Sequence, residues 1–531
     1  MSETAPILSV EALTVALPRG ADRPLAVDNV SLELRRGEIL CVVGESGSGK
    51  SALSGAIMGA PAPGLKVVAG SVRLQGKELT GLSERAWCHI RGNRIAMIFQ
   101  EPMAALNPAM PVGQQIMEVF ELHATMSLAE RRERALDLIR SMQLPDPERI
   151  FGSYPHQLSG GQCQRVIIAM ALAMSPEVLI ADEPTTALDV TTQAQVLKLI
   201  RELRTAHGHA ILFITHDFGV VAEIADRIAV MRHGRIVEIG EARQVLMQPQ
   251  HDYTRELIGA VPSLIPPSAQ DPSGTGVSEK STVLAVTALA KDYGRVRAVN
   301  EITFDLERGT TLAIVGESGC GKSSLARLIV RLIEPTSGRV DVNGKCFLTL
   351  AGRELRASCR AVQMIFQDPF GSLNPLRRVG ATIARAAMLA GADRRTARAR
   401  AGELFDRVGL PREGLDRRPS AFSGGQKQRI GIARALAMNP DVLIADESLS
   451  ALDASSQAQI LALLRNLQNE LGLAILMITH DLRVAAQISH RIAVMQAGRI
   501  VEIGPAERVI NSPEHPYTRE LLDSAPGRGL V

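Results

Sequence analysis

The chain is poor in cysteine, and the few it has are scattered. Cys41, Cys88, Cys163, Cys320, Cys346 and Cys359 form no CxxC pair in 531 residues. That excludes a disulfide framework or a thiolate zinc site and predicts free thiols in a reducing compartment. A membrane-length apolar run is also lacking. The most apolar stretch, VIIAMALAMSPEVLIA, is broken by Ser-Pro-Glu and falls short of the roughly 20 residues a spanning helix needs. The opening MSETAPILSV has neither a basic segment nor an apolar one, so no secretory leader is expected. Charge of either sign is hardly in excess: the net value is +3, which gives no ground for bulk nucleic-acid binding or a strongly acidic partner. These absences predict a soluble cytosolic chain whose role at a membrane would run through partners.

What is present is written twice. Residues 44–51 read GESGSGKS and 316–323 read GESGCGKS, and each is followed in the same order by FQ, SGGQ, VLIADE and ITHD. Lys50 and Lys322 are 272 apart and Gln100 and Gln367 are 267 apart. The pairs Ser159/Ser423, Asp182/Asp446, His216/His480 and Tyr253/Tyr517 are all 264 apart. Small deletions before the second SGGQ account for the drift, and one duplicated unit explains the register. The chain is too long for one core, and with 46% apolar residues each half can bury its own. We expect one domain over 1–262 and another over 282–531. Between them, 263–281 falls in a stretch rich in Pro, Ser and Gly that reads as a flexible tether.

Within each half, short apolar runs predict buried strands of a largely parallel sheet. They are ILCVVG, VLIADE and AILFIT in the first copy, and TLAIVG, VLIADE and AILMIT in the second. SLAERRERALDLIRSM has Leu and Ile spacing suited to an amphipathic surface helix. The pattern GxxxxGK[ST] lets backbone N–H groups converge on phosphate oxygens at a helix N-terminus. This predicts two phosphate cradles: Gly44, Glu45, Ser46, Gly47, Ser48, Gly49, Lys50 and Ser51, and Gly316, Glu317, Ser318, Gly319, Cys320, Gly321, Lys322 and Ser323. Lys50 and Lys322 would reach the β- and γ-phosphates of a nucleotide, and Ser51 and Ser323 would offer hydroxyls to Mg²⁺. Elsewhere the chain prefers Arg, so Lys here suits a compact point contact.

The apolar VLIADE strand ends in two acids, which places Asp182 and Asp446 at the sheet edge beside the metal. Glu183 and Glu447 follow, where a carboxylate can orient or deprotonate an attacking water. Ser159, Gly160, Gly161 and Gln162 (second copy Ser423, Gly424, Gly425 and Gln426) stand just before the apolar runs VIIAMALAM and IGIARALAM. They predict a further anion site at a helix start.

In that order and spacing the set resembles the signature of the ATP-binding cassette (ABC) ATPases over nearly the whole chain, with ALD at 187–189 and 451–453 as a further match. The resemblance implies an α/β fold: two P-loop NTPase cassettes, each a RecA-like, mostly parallel sheet with an antiparallel β subdomain and a helical subdomain. It implies ATP and Mg²⁺ as ligands and ATP hydrolysis as the reaction. The metal would be held by Ser51, Gln100 and Asp182, and by Ser323, Gln367 and Asp446. His216 and His480 would sense the γ-phosphate, and Asp189 and Asp453 are the D-loop aspartates. The two cassettes would pair head to tail, each ATP lying between one cradle and the other cassette's SGGQ.

The surrounding words FQEPMAALNP, FQDPFGSLNP, SYPHQLSGGQ, HDYTRELIGAVP and HPYTRELLDSAP offer only turns and caps by themselves. As a set they resemble the dipeptide, oligopeptide, nickel, glutathione, microcin and opine importer branch. That branch implies two integral-membrane permease subunits, an extracytoplasmic substrate-binding protein and a peripheral position on the cytoplasmic face of the bacterial inner membrane. Rival readings are a soluble twin-cassette ATPase acting on ribosomes or DNA and a fused sugar-importer ATPase. The short tether, the missing CxxC pairs and the FQxPxxxLNP and HxYTRE words weigh against them.

The copies also differ. Tyr293 stands where the family stacks a ring on adenine, while alignment of LSVEALTVAL with LAVTALAKDY puts Leu17 there in the first copy. Leucine has no π-face. Cys163 replaces the basic residue that usually follows SGGQ, whereas the second copy has Lys427. We therefore expect two hydrolytic sites of unequal affinity. Some relatives carry an iron–sulfur centre after the HPYT segment; no cysteine follows Tyr517, so no cluster is expected.

Overall fold

The computed structural model describes residues 5–527 apart from 22, 187, 266–280, 369–370 and 450–451. Most of the expected tether thus lies outside the described residues. The chain divides into two compact units whose bodies lie before and after the junction of Val261 and Pro262.

Among the described residues the first unit has ten strands: β1 (Leu8–Ala16), β2 (Leu25–Leu34), β3 (Ile39–Val43), β4 (Lys66–Leu74), β5 (Lys77–Glu78), β6 (Ile95–Ile98), β7 (Val178–Asp182), β8 (Ala210–Thr215), β9 (Arg227–Arg232) and β10 (Arg235–Glu241). Four make a small antiparallel sheet in the order β2-β1-β4-β5. The other six form the main sheet, β10-β9-β3-β8-β7-β6, parallel except for the hairpin partner β10. Every residue of β3, β7 and β8 is buried because both faces of this sheet are covered. Along β3, Ile39, Cys41 and Val43 join one apolar core with the helices, while Leu40 and Val42 join a second core with the small sheet. Side chains alternate across a strand, so a strand covered twice must be apolar throughout.

Helices Val112–His123, Leu128–Ser141 and Pro147–Gly152 form the helical part between β6 and β7. The helix expected from SLAERRERALDLIRSM spans Leu128–Ser141 and buries Ala135, Leu136 and Ile139 along one stripe. Its start is fixed by Ser127 and Glu130, which satisfy each other's backbone N–H groups.

The second unit repeats the plan with β11 (Thr282–Tyr293), β12 (Val296–Glu307), β13 (Thr311–Val315), β14 (Ser337–Val342), β15 (Lys345–Cys346), β16 (Val362–Ile365), β17 (Val442–Asp446), β18 (Ala474–Thr479), β19 (Arg491–Gln496) and β20 (Arg499–Pro505). Its sheets run β12-β11-β14-β15 and β16-β17-β18-β13-β19-β20, the same strand orders as in the first unit. The expected fold class therefore holds in both halves. Among the described residues, no helix is long and apolar enough to cross a membrane, and the six cysteines are free thiols.

Candidate functional site

In each unit the cradle is the connection from the central strand to a short helix, β3 to Lys50–Ile57 and β13 to Lys322–Ile329. Two glycines on each side are forced by geometry. Gly44 and Gly49 have φ of 155° and 108°, and an added Cβ would lie 2.2 Å from the Met231 carbonyl oxygen and 2.3 Å from that of Ala26. Gly316 and Gly321 repeat this against Met495 and Ala298. No side chain fits at these positions, so glycine is required for the loop to pack this closely against the neighbouring backbone. Lys50 is buried, and its Nζ donates to the carbonyl oxygens of Gly44 (2.8 Å) and Glu45 (2.9 Å). Lys322 does the same to Gly316 (2.8 Å) and Glu317 (2.7 Å). The ammonium is thus held by the loop it belongs to.

The acids converge on this point. Asp182 ends β7, and its Oδ1 accepts from Ser51 Oγ at 3.2 Å while Oδ2 accepts from Ser54 Oγ at 3.1 Å. Asp446 ends β17 and accepts from Ser323 Oγ at 3.0 Å. Burial pushes both carboxyls above the ordinary range, against the opposing pull of the serine hydroxyls. Hydroxyl and carboxylate oxygens are the hard donors Mg²⁺ takes, so these residues fit that ion.

Glu183 and Glu447 follow at φ of 46° and 42°, in a region that side chains rarely adopt. Their N–H groups donate to Ile214 and Ile478 at 2.9 Å, so the turn is tied to the neighbouring strand. The turn aims each carboxylate at its partners. Glu183 accepts from Gln100 Nε2 (2.9 Å) and Thr186 Oγ1 (3.1 Å), and His216 Nδ1 lies 3.2 Å away. Glu447 accepts from Gln367 Nε2 (2.7 Å), with His480 Nδ1 at 3.6 Å and Lys322 Nζ at 3.9 Å. Burial would raise the Glu183 carboxyl, but the His216 bond and the charges of His216 and Lys50 outweigh it and hold the group below its usual range. Glu447 is likewise held low, by His480, Lys322 and Gln367 acting against burial. Burial opposes protonation of His216, yet its contact with Glu183 raises it overall.

The ITHD word acquires a local cause. Thr215 Oγ1 accepts from Asp217 N–H at 3.0 Å, and Asp217 caps the next helix through Gly219 N–H at 2.8 Å. This fixes His216 at the strand exit, and Thr479 and Asp481 repeat the arrangement around His480.

The SGGQ segments differ from expectation in one respect. Their helices begin at Gly160 and Gly424, so the glycines and Gln162 or Gln426 lie inside the first turn rather than before it. Ser159 Oγ accepts from Gln162 N–H at 3.3 Å, and Gln162 Oε1 accepts from Ser159 N–H at 3.0 Å. Ser423 and Gln426 match this at the same distances. Asp453 caps the helix Ala454–Leu471 through Ser456 N–H at 2.8 Å. Asp189 stands one residue before the helix Val190–His207.

Leu17 and Tyr293 do occupy matching places, one just past β1 and the other ending β11. Leu17 packs partly buried against the small-sheet core, whereas the Tyr293 ring is 46% exposed with Lys291 Nζ 5.4 Å from its centre. Cys163 is buried, its Sγ 3.5 Å from the Pro155 carbonyl oxygen, and burial raises its thiol. A raised, enclosed thiol is a poor nucleophile.

By themselves the HDYTRE and HPYTRE words predict only turns and caps. His251 and His515 do cap their helices, through Tyr253 N–H (3.1 Å) and Tyr517 N–H (3.2 Å). Glu238 and Glu502 each accept two backbone N–H bonds from the approach, Gln250 and His251 in one unit, Glu514 and His515 in the other. The tyrosines then reach the cradles: Tyr253 Oη accepts from Glu45 N–H at 3.2 Å and Tyr517 Oη from Glu317 N–H at 3.1 Å. Only the exact repetition of the tyrosine at the 264-residue offset signalled this in the sequence.

The family model described as ABC transporter matches residues 27–186 and 299–450. That described as the oligopeptide/dipeptide transporter C-terminal region matches 237–282 and 501–528. The glutathione import ATP-binding proteins GsiA of Shigella boydii serotype 4 and of Escherichia coli strain K12 are each 46% identical over 561 residues, covering 98% of this chain and 89% of their own. A solved bacterial ABC transporter cassette, described as dimeric, covers 44% of this chain and 99% of its own at 30% identity, with a TM-score of 0.41.

Proposed function

The chain belongs to the ABC transporter family as a tandem ATP-binding protein and ATPase of the oligopeptide/dipeptide group; from that premise we propose that it energises a bacterial importer of peptides or related small substrates, glutathione among them. The domains are 1–262 and 282–531, joined by the tether 263–281. They pair head to tail within one chain, so that ATP meets the cradle of one domain and Ser159 or Ser423 with its glycines from the other. Two integral-membrane permeases and an extracytoplasmic binding protein complete the transporter on the cytoplasmic face of the inner membrane. The reading rests on one observation above the rest: in both units the aspartate accepts from the serine that follows the loop's lysine, and the glutamate next to it is held by the same glutamine and histidine.

In this reading Lys50 and Lys322 exchange the loop carbonyls they hold for the β- and γ-phosphates. Ser51, Gln100 and Asp182, with Ser323, Gln367 and Asp446, would hold Mg²⁺, which neutralises charge on the phosphate oxygens. Glu183 and Glu447, kept ionised by their neighbours, orient the attacking water and take up its proton. His216 and His480 hold those carboxylates in place and contact the γ-phosphate. Hydrolysis then releases the paired domains.

Reconstitution with candidate permeases and a binding protein tests the proposal. ATPase activity stimulated by a binding protein loaded with peptide or glutathione supports it. Stimulation by ribosomes with no permease bound, or by a sugar-loaded binding protein alone, overturns it.

A further inference from the structure

We propose that Tyr253 and Tyr517 are positioning residues for ATP binding, each bracing the phosphate loop of its own unit from the C-terminal HxYTRE segment. The contact is unusual in what it holds. Gly44 C=O and Glu45 N–H belong to one peptide group; Lys50 Nζ engages the oxygen at 2.8 Å and Tyr253 Oη accepts from the nitrogen at 3.2 Å. The plane is therefore pinned from both edges. In the second unit Lys322 and Tyr517 pin the Gly316–Glu317 peptide in the same way, at 2.8 and 3.1 Å.

A buried phenol usually finds a hydrogen-bond partner. Here the same donor is chosen twice although the surroundings have diverged. Arg232 lies over the Tyr253 ring, 4.5 Å from its centre, and Gln496 stands at the equivalent position in the second copy. Both rings are nearly fully buried, and the approach to each is clamped by Glu238 or Glu502. Burial keeps the Tyr517 phenol protonated well above neutral pH, so its oxygen remains a neutral acceptor. A strut thus runs from β10 or β20 through the tyrosine to the peptide whose carbonyl is one of the two that hold the lysine. Losing it would let that peptide rotate and would leave the cradle less prepared for phosphate.

The inference rests on the ATPase reading above, and the test separates the two. Tyr253→Phe and Tyr517→Phe are made in the full-length chain. Binding of a fluorescent ATP analogue with Mg²⁺, steady-state ATPase and thermal melting without nucleotide are then measured. One neutral hydrogen bond corresponds to a change of about 3- to 10-fold. Each substitution should raise KM and the analogue's Kd by about that factor, with kcat changed less than about twofold, the pattern of lost binding rather than lost chemistry. Glu238→Ala, which removes the clamp on the approach instead, should shift KM and Kd in the same direction, and Tyr253→Phe should add less in that background than it does alone. If a Phe variant fails to fold, Glu238→Ala reads the effect. Unchanged KM and Kd in folded variants, or a Tyr253→Phe effect that persists undiminished beside Glu238→Ala, overturns the proposal. A parent protein that binds no ATP would instead sink the ATPase reading itself.

Discussion

Ser54 and Ala326 occupy equivalent places behind the two cradles, and they hold the metal-side carboxylate differently. Ser54 gives Asp182 a second hydroxyl donor at 3.1 Å, whereas Asp446 has one serine and the charge of Arg327 nearby. Ser54→Ala should raise the Mg²⁺ concentration needed by the first site about threefold, read as Mg²⁺-dependent ATPase in a Glu447→Gln background. An unaltered Mg²⁺ dependence would show that Ser51 suffices. Glu183→Gln and Glu447→Gln should each abolish one hydrolytic site, lowering its turnover by about 10²-fold or more. Full activity in either single variant would mean that site is silent. The roles of these acids were legible because an apolar strand ending in Asp-Glu has few other uses beside a phosphate cradle. The role of Ser54 was not legible: a serine one turn into a helix carries no signal until the strand bearing Asp182 is folded against it.

At the scale of elements, each central strand is tied down at its start, by charge in one unit and by neutral groups in the other. Ile39 N–H donates to Asp226 Oδ2 at 2.9 Å, and Arg204 pairs with the other oxygen at 2.6 Å. In the second unit Thr311 N–H donates to His490 Nδ1 at 3.0 Å, and Gln468 bonds the Thr311 hydroxyl at 2.8 Å. Burial depresses the His490 pKa. A depressed histidine favours the native state above its unfolded pKa, about 6.5, and that stability is lost as the pH falls through and below this value. The unfolding transition that contains the second unit should shift to lower temperature between pH 7.5 and 5.5. His490→Asn should flatten the dependence, and calorimetry that shows the same slope in both proteins would refute it. A second element-scale test concerns the helix Leu128–Ser141. Ser127→Ala removes half of its capping box and should cost about 1 kcal/mol, seen as a lower melting point with KM for ATP unchanged. The strands were readable because a sheet covered on both faces must be apolar throughout. The sequence pattern starts the signature helix too late because Gly160 and Gly161 are weak helix formers. The better signal was Ser159 followed three residues later by Gln162, a capping box that starts the helix ahead of its glycines.

At the scale of the whole molecule, the duplication supplies both parts of each proposed composite site in one polypeptide. A tether of this length would keep the partners at millimolar effective concentration. A protease site introduced within 266–280 tests the idea. Before cleavage, specific ATPase activity should be independent of protein concentration; after cleavage it should fall on dilution. Loss of activity on dilution of the uncut chain would mean that the productive pair forms between molecules.

The sequence by itself determined the duplication, the apolar strands, the phosphate loops and the acids beside them. These depend on local patterns, namely period, glycine placement and a charge at a strand end, that any chain obeying the same sterics must show. Tertiary structure alone decided which groups meet across the fold. Tyr253 stands 208 residues from Glu45 and Tyr517 200 from Glu317, and Asp182 finds Ser54 only when β7 lies behind the cradle. Such contacts are set by the packing of strands and helices distant in the chain, and no spacing along a sequence encodes a distance across a sheet.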